Sequence, residues 1–382
     1  MCGATHRGFE SHSLRQSGHS GGTHPPPTAV DGPRRVGVRS AGPRAPSASL
    51  RADGGTLRLR LRVWPRREPA GTTRLDRALP AVGKGGDVLP NAIAVANGKG
   101  GVGKTSLSAN LAGLAAISGW RVLLVDLDPQ GNLGSDLGYT DEEANDGGAA
   151  LLRAAESGEP VEPLRDVRPN LDVVTGGPGT ETLETLVRRR LFADDATALT
   201  IVDAALAPMV GDYNLVVVDC PPAMGCLVEL AFTVARYLVI PTRGDAASLN
   251  GLSRTANRFV NVRRTSNPHI DLLGICLFGF GAQDHRIVAK ARHQLEEALD
   301  GIAPVFDSFI RHSRKAPDDM RELGLLAHEY AQTAAQAPRW FEDRDAVRYS
   351  TSADALASDY QALTKEILTA FAERQAAISA AA

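Results

Sequence analysis

Asn97-Gly98-Lys99-Gly100-Gly101-Val102-Gly103-Lys104-Thr105-Ser106 decides the reading of this 382-residue chain. Gly98, Gly103, Lys104 and Thr105 occupy the fixed positions of the phosphate-cradling pattern G-x-x-x-x-G-K-[ST]. The glycines lack a Cβ, so the backbone can approach a polyphosphate closely. Successive N–H groups then turn inward and form a concave nest for anionic oxygens. Gly100, Gly101, Val102, Gly103, Lys104, Thr105 and Ser106 are therefore the candidate cofactor-binding residues. Lys104 supplies a mobile charge for the β- and γ-phosphates, and Thr105 a hydroxyl for a magnesium ion.

The flanks fit that pattern. Ala92-Ile93-Ala94-Val95-Ala96 reads as a short buried strand. Ser106 to Ser118 carries Leu107, Leu111, Leu114 and Ile117 at helical spacing, with Gly119 as the C-cap. The helix start faces the loop with its positive end.

A second anchor is Tyr213-Asn214-Leu215-Val216-Val217-Val218-Asp219-Cys220-Pro221-Pro222. Four apolar residues predict a buried strand, and Asp219 ends it. Ligands of open α/β sheets gather at that end of the strands. A carboxylate there suits Mg²⁺, which keeps much of its water shell. With the phosphate-cradling loop at its start, regular alternation of strand and helix from Ala92 onward predicts an α/β P-loop NTPase. Its sheet is expected to be mostly parallel, with helices on both faces.

Composition sets the outer bounds. Hydrophobic residues make up 43% of the chain, enough for a sizeable core, and aromatic residues 5%. No apolar run reaches the ~18–20 residues needed to span a bilayer. Cys2, Cys220, Cys226 and Cys276 have no C-x-x-C spacing, and a reduced cytoplasm is expected. Residues 1–90 hold 15 Lys/Arg against 6 Asp/Glu, leaving 27 against 38 for the remainder, a net charge of −11. A nucleic-acid surface on the folded part must therefore be a local patch.

Residues 1–88 read as a disordered basic extension and 89–382 as the P-loop domain. Pro25-Pro26-Pro27 and scattered Gly, Ser and Arg give no sustained period before residue 85. Leu57, Leu59 and Leu61 alternate with arginines and predict one isolated strand. The extension is either a basic arm or a misassigned start. Gly8-Phe9-Glu10-Ser11 back-translates to the T-arm of a transfer-RNA gene, which favours the latter.

Further along, helices are expected over 181–192, 248–264 and 286–299, and strands over 171–174, 237–242, 272–277 and 305–310. Leu356, Tyr360, Leu363, Ile367 and Phe371 predict a final amphipathic helix. Its acidic outer positions, Asp359, Glu366 and Glu373, favour docking on the core over a membrane. Residues 331–352 look like an insertion.

Lys99 gives the loop the form Lys-Gly-Gly-Val-Gly-Lys-Thr, and the next strand reads Arg121-Val122-Leu123-Leu124-Val125-Asp126-Leu127-Asp128-Pro129-Gln130-Gly131-Asn132. Together these resemble the deviant P-loop ATPases of the ParA/MinD group, in particular the ParA/Soj branch, over about residues 92–330. The resemblance implies a P-loop NTPase fold of the SIMIBI type, ATP and Mg²⁺ as cofactors and an ATP-dependent homodimer closed face to face. Lys99, Lys104 and Asp128 would be catalytic: Lys99 reaches across to the partner's phosphates and Asp128 positions water, while Asp126 serves the local hydrogen-bond network. Thr105 and Asp219 would hold the metal, and Pro241 and Thr242 would border the base. It also implies non-specific binding of double-stranded DNA and a ParB-like partner that stimulates hydrolysis, in a cytoplasmic, nucleoid-associated protein. Arg254, Arg258, Arg286, Arg311 and Arg314 are the DNA-binding candidates. The competing readings are a MinD-like regulator that cycles on membranes and a nucleotide-gated scaffold that positions protein machinery.

Overall fold

The computed structural model describes residues 49–53, 56–60, 88–222, 225–244, 246–338 and 347–381. Most of the expected 1–88 extension, and Arg339, Trp340 and Phe341 of the expected insertion, lie outside them. Strands β1 (Ser49–Asp53) and β2 (Thr56–Arg60) pair antiparallel, Leu50 opposite Leu59. The isolated strand expected around Leu57 is thus one arm of a hairpin.

The main sheet begins with β3 (Leu89–Val95), followed by the glycine loop and α1 (Lys104–Ile117). Then come β4 (Val122–Asp126), the short α2 (Leu133–Leu137), α3 (Ala149–Ser157), β5 (Leu164–Arg168), β6 (Leu171–Val174), α4 (Pro178–Phe192) and α5 (Ile201–Val210). The second half runs through β7 (Leu215–Asp219), α6 (Cys226–Val234), β8 (Ala235–Thr242), α7 (Ala246–Thr265), β9 (Asp271–Phe280), α8 (His285–Leu299) and β10 (Val305–Arg311). It closes with α9 (Ala316–Leu323), α10 (Ala327–Gln336) and α11 (Ala353–Ala381).

Among the described residues the sheet has eight strands in the order β10-β9-β8-β3-β7-β4-β6-β5. Every pair is parallel except β5 with β6. Because successive side chains of a strand point to opposite faces, each central strand feeds two cores. Ala92, Ala94, Leu123, Val125, Val216 and Val218 enter the core under α3 to α8. Ile93, Val95, Val122, Leu124, Leu215 and Val217 enter the core under α1, α2, α9, α10 and α11. The runs of apolar residues in β3, β4 and β7 therefore reflect burial on both sides.

Leu356, Tyr360, Leu363, Ile367 and Phe371 of α11 are all buried in the second core. The stripe read as core-docking packs there, with Phe371 edge-on to Tyr237 and Tyr360 edge-on to Phe278. Among the described residues no helix is long and apolar enough to cross a membrane.

Candidate phosphate-binding site at the carboxyl ends of the strands

The loop after β3 enters the first turn of α1 through two left-handed glycines, Gly101 with φ +70° and Gly103 with φ +87°. A side chain at 103 would be strained by that torsion and would collide with the Phe278 ring of β9. Val102 is fully buried and pins the middle of the loop. Asn97 braces its start: the side-chain amide donates to Pro241 O (2.8 Å), and its carbonyl accepts the Lys99 N–H (3.0 Å). From the other side α7 supports the loop, since the Gly98 N–H donates to Thr255 Oγ1 (3.0 Å). Gly251, one turn earlier, lies so close that a Cβ would come within 2.6 Å of Asn97 Oδ1 and 3.1 Å of Lys99 Cβ.

Lys104 opens α1 and is only 6% exposed. Its ammonium donates to Lys99 O at 3.1 Å across the loop. Burial pushes its pKa down, and the charges of Asp219, Cys220 and Asp128 oppose that shift. A cation held under tension between desolvation and nearby carboxylates is well suited to receiving an anion.

The parity that sends Val122 and Leu215 toward α1 also carries Asp126 and Asp219 there, and the two are register partners across β4 and β7. Both are fully buried. Asp219 Oδ1 accepts the Ser108 hydroxyl (2.8 Å), and the Thr105 hydroxyl also bonds this carboxylate. Asp126 Oδ1 accepts the Asp128 N–H at 2.8 Å. The second oxygen of each, Asp126 Oδ2 and Asp219 Oδ2, is buried without a hydrogen-bond partner. Desolvation raises both carboxyls above the usual range, and for Asp126 the neighbouring Asp219 adds to it. Two adjacent buried carboxylates cannot both ionise cheaply. Asp128 follows at the strand end, nearly buried, with Oδ1 accepting the Gln130 N–H at 3.0 Å.

Ser106, in the first turn of α1, donates its hydroxyl to Asp136 Oδ2 of α2 at 3.2 Å. Gly100, Gly101, Val102, Gly103, Lys104, Thr105 and Ser106 thus run unbroken from the loop into α1, with Asp219 and Asp128 near the Lys104 ammonium. Pro241 and Thr242 sit elsewhere in this scaffold. Both are buried; the Pro241 carbonyl is taken by Asn97, and the Thr242 hydroxyl points to Arg243 O. Through the Pro241 carbonyl the end of β8 braces the start of the loop. A cavity of about 540 Å³ lies at the opposite, amino-terminal edge of the sheet, lined in part by Pro90, Asn91, Tyr213 and Phe371.

The basic candidates divide into two groups. Arg311 makes a double ion pair with Asp359 of α11 (2.6 and 2.7 Å), and Asp359 also accepts the Arg311 N–H at 3.0 Å. Arg258 is ion-paired with Glu229 of α6. Both were expected as DNA contacts; in the structure each is paired with a helix carboxylate, Asp359 or Glu229. Arg254, Arg286 and Arg314 are exposed and follow β8, β9 and β10, which are neighbours in the sheet. The strands they follow are on the same side of β3 in the sheet.

Asn97, Ser108, Asp136, Gly251 and Thr255 are parts of this site beyond the sequence candidates. Asn97 and Ser108 lie in or just after the motif and were within reach of a spacing argument. The others join it only through the fold.

A family model described as an AAA domain (AAA_31) matches residues 90–272. The chain is 32% identical over 213 residues to the chromosome partitioning protein ParA of Myxococcus xanthus, covering 55% of this chain and 70% of that protein. It is 38% identical over 183 residues to the chromosome-partitioning ATPase Soj of Thermus thermophilus, covering 48% of this chain and 67% of that one. Among solved structures, apo McdA of Cyanothece superposes with a TM-score of 0.56 at 20% identity, over 73% of this chain and 99% of that one. The structure of pnob8 ParA superposes at 0.52 with 18% identity, over 74% and 99%. At such identities the two structures speak for the fold.

Proposed function

Because this chain belongs to the ParA/Soj-type partitioning ATPases, we propose that it binds ATP with Mg²⁺, dimerises around the nucleotide, binds DNA without sequence preference and hydrolyses ATP when a ParB-like partner stimulates it. The observation that carries this reading is the buried Lys104 ammonium, set in a glycine nest beside Asp219 and Asp128 at the start of α1.

In this reading the N–H groups of Gly100 to Ser106 cradle the phosphates and Lys104 neutralises the β/γ end. Thr105 and Asp219 hold the metal. The residues fit that group: Asp219 keeps one buried oxygen without a partner, beside the Thr105 hydroxyl. Among the described residues there is no cluster of three or more acidic, His or Cys ligands. Mg²⁺ needs none, since it takes one or two protein oxygens together with phosphates and water. When bound it would draw charge off the phosphoryl oxygens. Asp128 orients the attacking water. Its carboxylate is held by the Gln130 N–H, which fixes the direction in which it accepts a proton. Lys99 of one subunit would serve the nucleotide of the other, as an arginine finger does.

The exposed Arg254, Arg286 and Arg314 support DNA binding. Such contacts neutralise phosphates and read no bases. A cytoplasmic, nucleoid-associated protein follows from that. The MinD-like alternative has less support, because the apolar stripe of α11 is already buried.

Two variants test the reading. Lys104→Ala is expected to lose ATP binding in calorimetry. Asp128→Ala is expected to bind ATP and dimerise without turnover. Tight ATP binding by Lys104→Ala would refute the site; unchanged turnover in Asp128→Ala would remove that residue from it.

A further inference from the structure

Ser106 has one hydroxyl proton, and the structure commits it to Asp136. As a carboxylate Asp136 can only accept hydrogen bonds, and its side chain is 8% exposed. A phosphate oxygen served by Ser106 would therefore compete with Asp136 for that proton. It would also lie two hydrogen bonds from a buried negative charge.

That charge is answered from far along the chain. Arg321 of α9 donates Nε–H to Asp136 Oδ1 at 2.8 Å, and the Asp136 charge is the main cause that raises the Arg321 pKa. The contact is braced on both sides. Arg168 bonds Glu329 of α10 through two nitrogens and also donates to Leu137 O (3.2 Å) and Gly324 O (2.9 Å). Those carbonyls belong to the end of α2 and to the residue after α9. There Gly138 and Gly324, both left-handed, abut so closely that a Cβ on Gly324 would collide with Gly138. Tyr360 of α11, buried, lies against the same group, close to Asp136, Ser106 and Arg321.

We propose that Arg321 is a positioning residue of the nucleotide site. By neutralising Asp136 it weakens that carboxylate's hold on Ser106, so the hydroxyl can turn to a phosphate oxygen. This rests on the nucleotide reading given above. It assigns a role to a pair that the phosphate-loop motif does not contain, and it links α9 to the phosphate site through α2. Without Arg321, an uncompensated carboxylate would face the phosphates across Ser106. An added charge at such a distance and partial burial is expected to weaken binding about tenfold.

The test is calorimetry of the full chain with Mg²⁺ and a non-hydrolysable ATP analogue. Arg321→Met is expected to weaken binding about tenfold. Asp136→Asn removes the competing charge and is expected to tighten it about threefold, and the double variant to match Asp136→Asn. That rescue separates positioning from a structural role, which would leave the double variant as weak as Arg321→Met. Unchanged affinity in Arg321→Met, or no rescue, overturns the proposal. If Arg321→Met does not fold, Asp136→Asn decides alone, and weakened or unchanged binding there overturns the proposal. Lys104→Ala run alongside keeps the two readings apart. A wild-type chain that binds no better than Lys104→Ala removes the nucleotide site itself, and the Arg321 inference with it. A wild-type chain that binds while Arg321→Met binds equally removes only the Arg321 inference.

Discussion

The backbone N–H of Gly98 donates to the hydroxyl of Thr255 at 3.0 Å, joining residues 157 positions apart. Thr255 passes its own proton to Gly251 O at 2.9 Å. The first glycine of the loop therefore leans on α7, the helix that carries Arg254 on its exposed side.

Thr255→Val keeps the shape of the side chain but strands the Gly98 N–H. Losing a partner for a half-buried amide costs about 1–3 kcal/mol, part of which will appear as loop disorder. The expected result is nucleotide affinity reduced about fivefold or more, with the fold retained by circular dichroism. Gly251→Val should be worse, since its Cβ alone would press on Asn97 and Lys99. Calorimetry on both variants checks the order.

The DNA surface is better tested away from the paired arginines. Arg314→Glu with Arg286→Glu should abolish retention of duplex DNA at moderate salt and leave ATP binding intact. Arg311→Glu is a poor probe, because it sets a second carboxylate against Asp359 and strikes the α11 contact with β10. It should lower the melting temperature as well. Filter binding and thermal melts on the same preparations separate the two effects.

His328 gives a pH signature. It is buried on α10 with Nδ1 unpartnered, and burial lowers its pKa, an effect that Arg168 reinforces and Glu329 opposes. With the folded value below the ordinary 6.5, the unfolded chain takes up the proton first as pH falls. The stability linked to this group is complete above pH 6.5 and is lost as pH drops through the folded value. His328→Gln should flatten the fall in melting temperature between pH 7 and pH 5. Parallel slopes for wild type and variant would show that His328 does not contribute.

Gly324→Ala should destabilise the protein by about 2 kcal/mol or more. The residue has φ +62°, where an L side chain is strained, and the added methyl meets Gly138. Urea unfolding measures the loss, and Gly158→Ala, left-handed but open around its Cβ, isolates the torsional part.

The glycine loop, the Lys104 and Asp219 positions and the strand ends at Asp126 and Asp128 were legible because their meaning is local: spacing, period and end of strand. The supports were not. Thr255, Asp136 and Arg321 reach the loop across tens to hundreds of residues, and no periodicity encodes such a meeting. α6, Cys226–Val234, escaped because it is apolar almost all round and has no polar face to set a period. β5, Leu164–Arg168, escaped because an edge strand of the form Leu-Arg-Asp-Val-Arg alternates too weakly. Arg311 read as a contact charge because a run of basic residues says nothing of Asp359, 48 residues on.

Gly103 and Phe278 hold a last implication. The ring that occupies the space beside Gly103 is itself wedged edge-on against Tyr360, 6.1 Å between centroids. The loop is thus a cast taken from the core, set when α11 closes over β9. A polyphosphate meets a mould that is already hard, and the entropy of shaping it is lost at folding and not at capture. By the same route, a lesion that loosens the grip of the last helix would soften the mould from behind, far from any phosphate.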